Sequence, residues 1–204
     1  MTADGVDLGV SRETLQKLET FADLVAKWTR RINLIAPSSI DDIWNRHILD
    51  SAQLVRHAPE NATSWIDLGS GAGFPGLVVA TLWSETNPQG HVNLVESDQR
   101  KAAFLRQAAR ELALTVTIHT TRAESLPPAN ADILSARALA PLVSLLPLAA
   151  RHLAPTGTAI FPKGRNAAAE IEEARKSWRF DLAIRDSVTD HEGRILRIER
   201  IERA

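Results

Sequence analysis

Cysteine does not occur among the 204 residues. That excludes disulfides, thiolate metal sites and a cysteine nucleophile, and it suits a cytoplasmic location. Tyrosine is also missing. No apolar run approaches the roughly 20 residues that cross a bilayer. Residues 1–10 carry two aspartates and no basic flank, so no signal peptide is expected there. Excess positive charge is absent too: 24 basic against 25 acidic residues leave a net charge of −1, which argues against a large nucleic-acid footprint. The six histidines lack paired ligand spacing, so no metal site is expected. Local basic clusters exist around Arg30, Arg56, Arg165 and Arg197, and each reads first as solvated surface. The length and a 44% hydrophobic content fit one globular unit.

Apolar residues at steps of three and four predict a helix over 11–33, with Leu15, Leu18, Phe21, Val25 and Trp28 on one face and Ser11 as its N-cap. A second helix is expected from 38 or 39 to just before Pro59. From residue 64 the pattern changes. Strands are expected at 65–68, 91–96, 115–119, 131–135 and 157–162. They alternate with helices at 77–83, 98–113, 138–152 and 167–178. Such alternation yields a parallel sheet with helices on both faces. Two closing strands, 178–186 and 194–201, fit an antiparallel pair over the sheet edge. The expectation is a Rossmann-like α/β fold with a mostly parallel seven-stranded sheet. Residues 1–60 form a helical extension and 61–204 the main domain.

The most informative run is Asp67-Leu68-Gly69-Ser70-Gly71-Ala72-Gly73-Phe74-Pro75-Gly76, which follows a strand and opens a helix. Glycines let backbone amides approach a ligand and permit positive φ. Two cofactors compete. Gly71, Gly73 and Gly76 match the dinucleotide spacing. An acid two positions before the first glycine suits the ammonium of S-adenosylmethionine and repels a pyrophosphate, and Pro75 removes a donor that a pyrophosphate wants. Glu96, ending the next strand, suits ribose hydroxyls in either case. Ala123 and Glu124, after the third strand, suit an adenine edge. The register favours S-adenosylmethionine.

The segment after the fourth strand, Ser135-Ala136-Arg137-Ala138-Leu139-Ala140, faces the methyl acceptor in this kind of fold. It lacks the Asp/Asn-Pro-Pro-aromatic run of exocyclic-amine enzymes. No lysine-rich set for ribose O-methylation can be assembled. A guanine N7 remains by elimination: its lone pair carries no proton and needs no base, so alignment and electrostatics suffice. A small-molecule nitrogen acceptor passes the same test. Other readings are an NAD-dependent oxidoreductase and a non-catalytic RNA-binding module. Arg137 is placed to clamp a nucleotide or the cofactor, or else to pair with Asp132 or Glu124. Lys163 is placed to meet a phosphate, or else to be an ordinary exposed lysine. Arg46 and Asp50, four apart, share a helix face and suit an ion pair. His47 lies towards the apolar side.

Trp28, Asn33-Leu34, Arg46-His47-Ile48-Leu49-Asp50-Ser51, the 67–76 loop with its Gly-Phe-Pro-Gly ending, Phe104-Leu105, the 135–140 segment and Lys163-Gly164 together resemble the bacterial 16S ribosomal RNA guanine-N7 methyltransferases, the glucose-inhibited division protein B family. The resemblance implies N7-methylation of one guanine in the 530 loop of 16S RNA. It implies cofactor contacts at Gly69, Phe74, Ala123, Glu124 and Arg137, with Glu96 on the ribose. Arg46, His47, Asp50, Arg137 and Lys163 become substrate-side candidates. The expected partner is 16S RNA, within a small-subunit particle, met by a monomer that needs neither metal nor membrane.

Overall fold

Apolar and β-branched runs from residue 64 onward form one seven-stranded sheet. Its strands are β3 (Ser64–Leu68), β4 (His91–Val95), β5 (Val116–His119), β6 (Ala131–Ala136), β7 (Leu153–Lys163), β8 (Trp178–Asp186) and β9 (Arg194–Arg203), in the order β5-β4-β3-β6-β7-β9-β8. The computed structural model describes residues 2–3 and 6–204. The reading of residues 1–10 therefore lies partly outside them. Two short N-terminal strands, β1 (Thr2–Ala3) and β2 (Val6–Asp7), pair antiparallel apart from the main sheet.

Strands β3 to β7 run parallel, and β9 lies antiparallel between β7 and β8. The chain winds outward through β4 and β5, returns to β6 on the other side of β3, and then winds the other way. The gap between β3 and β6 is thus a topological switch point, where open α/β sheets hold ligands beyond the strands' carboxyl ends. The expected fold and the closing antiparallel pair are both present.

Helices α1 (Arg12–Thr29), α3 (Gly76–Thr86) and α4 (Gln99–Glu111) cover one face, and α5 (Leu142–His152) and α6 (Ala167–Arg175) the other. Burial explains why the first helix docks: Leu18, Phe21 and Val25 are fully enclosed with Trp65, Leu77 and Phe104 in one cluster. Ser11 caps α1 as expected, accepting from the Thr14 N–H at 3.2 Å. Glu85, at the end of α3, accepts from Ser11 N at 3.0 Å and so fixes where α1 starts against the sheet.

Several boundaries differ from expectation: α1 ends at Thr29 and not at 33, and α6 at Arg175 and not at 178. The second helix does not begin at 38 or 39. Pro37–Ser39 make a single 3₁₀ turn, and the chain then winds as a π-helix over Trp44–Leu49, an α turn α2 (Asp50–Ala52) and 3₁₀ again over Gln53–His57. The wider π winding accommodates an extra residue per turn and often marks functional helices. Helix α5 begins at Leu142, with Pro141 as its cap, so residues 137–140 are free of helix. Strand β7 starts at Leu153, earlier than expected, with a register shift against β6 that absorbs Pro155 and Gly157.

Candidate active site

The glycine loop leaves β3 and turns under three positive φ angles, at Gly69 (+67°), Gly71 (+53°) and Gly73 (+88°), before α3 begins. Asp67 anchors this loop from below. It is fully buried, its Oδ1 accepts from Ser135 Oγ at 2.7 Å, and its Oδ2 accepts from Gly76 N at 3.3 Å. Ser135 Oγ in turn accepts from Trp65 Nε1 at 2.8 Å. A chain of donors thus runs from β3 through β6 into one carboxylate. Burial pushes the Asp67 carboxyl up to about 6, against the pull of Ser135, Ser70, Gly76 and Arg137. Gly76 is obligatory for this approach: a Cβ there would meet Asp67 Oδ2 at 2.8 Å and the Leu94 side chain.

Glu96 closes the other side of the loop. Its Oε2 accepts from Gly71 N at 2.8 Å and its Oε1 from Asp98 N at 2.7 Å, just before the Asp98-capped start of α4. Between these elements lies a cavity of about 410 Å³, lined by Gly69, Gly71, Glu96, Thr121, Ala123, Glu124 and residues 137–140, with Lys101 at its edge. A glycine turn that lets a ligand approach the backbone closely, a fixed carboxylate at a strand end and a small residue followed by an acid suit an adenosyl ligand bearing ribose hydroxyls and an amino group. Within the set expected at the cofactor, Gly69, Gly71, Glu96, Ala123, Glu124 and Arg137 line the cavity. Asp67, Gly73 and Phe74 stand behind it. A Cβ at Gly73 would run into Leu77 and Phe21, and the Phe74 ring is buried between Phe21 and His47, with centroids at 5.1 and 5.0 Å. Gly73 and the Phe74 ring therefore shape the loop, and Asp67 anchors it while placing its charge beneath the cavity.

Residues 137–140 also wall a second cavity of about 440 Å³, which adds Asp50, Lys163, Glu170, Asp190 and Arg194. Arg137 stands between the two cavities. Its Nη1 donates to Asp50 Oδ2 (3.1 Å) and to the Arg46 carbonyl (3.0 Å), its Nη2 lies 2.8 Å from His47 Nδ1, and its guanidinium lies 5.2 Å from the Phe74 ring centroid. Arginine only donates, so His47 Nδ1 accepts. The imidazole proton then sits on Nε2 and is given to Ser39 Oγ at 3.0 Å. Burial, then Arg137 and Arg46, lower His47 to about 4, so the ring is neutral at pH 7.

Two expected pairings are corrected. Arg46 does not bridge to Asp50, because Asp50 is taken by Arg137 from the neighbouring strand end. Arg137 does not pair with Asp132, whose Oδ2 instead collects the N–H and hydroxyl donors of Thr63 and Ser64. Lys163 is neither an open phosphate ligand nor an exposed lysine: its side chain is 9% exposed, and Nζ donates to the Ala140 carbonyl (2.9 Å) and to Glu170 (2.8 Å). It pins the 137–140 segment to β7. Ser135 and Leu139, which the sequence marks only as part of the 135–140 segment, have individual roles in the structure. A buried tryptophan N–H requires an acceptor, which is the one sequence hint towards Ser135.

Leu139 lies over the glycine loop: a Cβ at Gly69 would come within 2.6 Å of its Cδ1. Gly69→Ala combines that contact with an αL penalty of about 1–2 kcal/mol. Affinity for S-adenosylhomocysteine should fall roughly 5- to 20-fold, and calorimetry of the folded variant checks this. Adding Leu139→Ala should recover the contact's share and leave the backbone share. Among the described residues no group of three or more metal-ligating side chains occurs, and no helix is long and apolar enough to cross a membrane.

Comparison with known proteins agrees with this fold. Solved structures with the same fold include a SAM-dependent methyltransferase from Aquifex aeolicus (TM-score 0.60, 13% identity, 81% of this chain and 100% of that one). Another is a ribosomal protein L11 methylase from Lactobacillus delbrueckii (TM-score 0.56, 20% identity, 74% and 77%). Much nearer in sequence are ribosomal RNA small subunit methyltransferases G. That of Cereibacter sphaeroides is 57% identical over 94% of this chain and 92% of its own length. That of a Ruegeria species is 52% identical over 97% and 96%. The family model for rRNA small subunit methyltransferase G matches residues 14–198. The chain therefore belongs to the rRNA small subunit methyltransferase G family and is an S-adenosylmethionine-dependent methyltransferase.

Proposed function

We propose that the chain methylates N7 of one guanine in the 530 loop of 16S ribosomal RNA, acting as a cytoplasmic monomer on a small-subunit particle. The observation that carries the reading is the pair of cavities sharing one wall, residues 137–140. In this reading the glycine-loop cavity takes the cofactor, with Glu96 on the ribose, Ala123 and Glu124 at the adenine, and Asp67 supplying negative charge beneath the methionine end. The second cavity takes the base. When bound, the cofactor supplies an electrophilic methyl on a sulfonium. The guanine N7 lone pair would take that methyl as the sulfonium became the thioether of S-adenosylhomocysteine, so this chain's residues need only align the two. No proton leaves N7, which fits a site whose one central imidazole is neutral and bonded on both nitrogens. The near-equal count of acidic and basic residues favours a substrate pre-folded within a particle over naked RNA.

The test is incubation with methyl-labelled S-adenosylmethionine and small subunits, or their RNA, from a strain lacking the modification. Label should appear in a single guanine as the N7-methyl derivative. A chain that binds S-adenosylhomocysteine yet labels no guanine would overturn the substrate.

A further inference from the structure

We propose that Gln53 is a positioning residue for the acceptor: it clamps the turn between β8 and β9 onto the N-terminal helical segment, so that the turn forms one wall of the second cavity. This rests on the reading of that cavity as the acceptor site. Gln53 is 4% exposed. Its Nε2 lies 3.0 Å from Asp50 Oδ1, 3.1 Å from the Asp50 carbonyl and 3.1 Å from Ser187 Oγ. Its Oε1 accepts from the Val188 N–H at 3.0 Å. Thr189 Oγ1 adds a bond to Asp50 Oδ1 at 3.2 Å. The same Asp50 holds Arg137 through its other oxygen, so the clamp and the wall between the cavities share one carboxylate.

Hydrogen bonds rather than apolar contacts attach the turn here. Its one large apolar side chain, Val188, is 65% exposed. A surface turn without an apolar anchor opens at low free energy unless its polar groups are held. Yet this turn and the start of β9 supply Ser187, Asp190, Gly193 and Arg194 to the cavity lining. Releasing the clamp should therefore blur the acceptor wall and leave the glycine loop, on the other side of residues 137–140, as it was.

Gln53→Leu keeps the volume and removes the amide. Steady-state methylation of small-subunit particles should show KM for the particle raised about tenfold, kcat within twofold, and S-adenosylhomocysteine affinity unchanged. Gln53→Glu keeps an acceptor for the Val188 N–H but loses the donors beside Asp50. The new carboxylate also repels Asp50, so KM should rise at least as far as in Gln53→Leu and recover towards the parent as acid protonates it. A merely structural role would lower Tm and leave KM of the folded enzyme where it was. That result, with the parent labelling the same particles, overturns the inference and leaves the substrate reading standing. If the parent labels no particle, exchange at the Val188 amide decides: faster exchange in Gln53→Leu supports the clamp, and an unchanged rate removes it. Should Gln53→Leu not fold, Ser187→Ala deletes one clamp bond from the turn side. A two- to threefold rise in KM would then support the clamp, and none would refute it.

Discussion

Asp67→Ala should weaken S-adenosylhomocysteine binding on the order of 100-fold and destabilise the protein by about 2–4 kcal/mol. The carboxylate is the acceptor for Gly76 N–H and the Ser135 hydroxyl in a site with no exposure. Its removal leaves both donors unmet, and the loop over them loses the anchor that aims its amides. Calorimetry of cofactor binding and denaturant unfolding check the two parts. Affinity within threefold of the parent would refute the anchoring role.

The pH dependence carries a separate signature. Asp67 titrates at about 6 in the fold, above its ordinary 3.8. Its contribution to stability is therefore fully present below about 3.8 and is lost as pH rises through 6. Cofactor affinity runs the other way, because only the ionised acid favours an ammonium: it should fall as pH drops through 6, and Asp67→Asn should remove that fall. His47 has the opposite stability slope. Its folded value of about 4 lies below the ordinary 6.5, so its contribution is present above about 6.5 and is lost as pH falls through 4. In the parent the two slopes oppose each other between pH 4 and 6. Asp67→Asn should unmask the acid sensitivity of the histidine.

Arg137→Ala should lower kcat/KM for methyl transfer at least 100-fold, with a stability loss of about 2–3 kcal/mol. Arg137 and Asp50 are each 18% exposed, so the ion pair is largely shielded and its loss leaves a carboxylate with only neutral partners, Gln53 and Thr189. The same change strips the donor from His47 Nδ1 and the cation from the face of Phe74. Cofactor affinity should drop less, about tenfold at most, because the bonds of Asp67 to Ser135 and Gly76 and of Glu96 to Gly71 remain. Arg137→Lys should not rescue activity, since one ammonium cannot reach Asp50, the Arg46 carbonyl and His47 while lying over a ring. Retention of near-parental activity in Arg137→Ala would show that the cavities work without this bridge.

The parts of this molecule that were legible in its sequence are those whose cause is local. Strand β3 followed by three glycines and α3 follows from spacing over ten residues, and Glu96 from its place at the end of the next strand. The chain from Trp65 through Ser135 to Asp67 joins residues about 70 apart, and no period in the sequence relates them. The Arg46–Asp50 pairing looked favourable on α-helical geometry. It gave way because Arg137 arrives from β6, an encounter that only the tertiary fold creates. The π winding over Trp44–Leu49 has no composition of its own. It is visible only once Phe74 and Arg137 are packed against His47. Lys163 read as a surface group because nothing nearby in sequence except Glu170 announces that it will be enclosed.

Ala138 holds a φ of +52° in the partition between the two chambers, a conformation that costs an alanine of order 1 kcal/mol. Lys163 grips one end of that partition and Arg137 the other, so a ligand that moved the partition from one side would be felt on the other. Any shift that one occupant imposes on the shared wall alters the fit of the other by the same factor in both directions. If the second chamber takes the acceptor, as proposed, affinity for S-adenosylhomocysteine should differ with and without it.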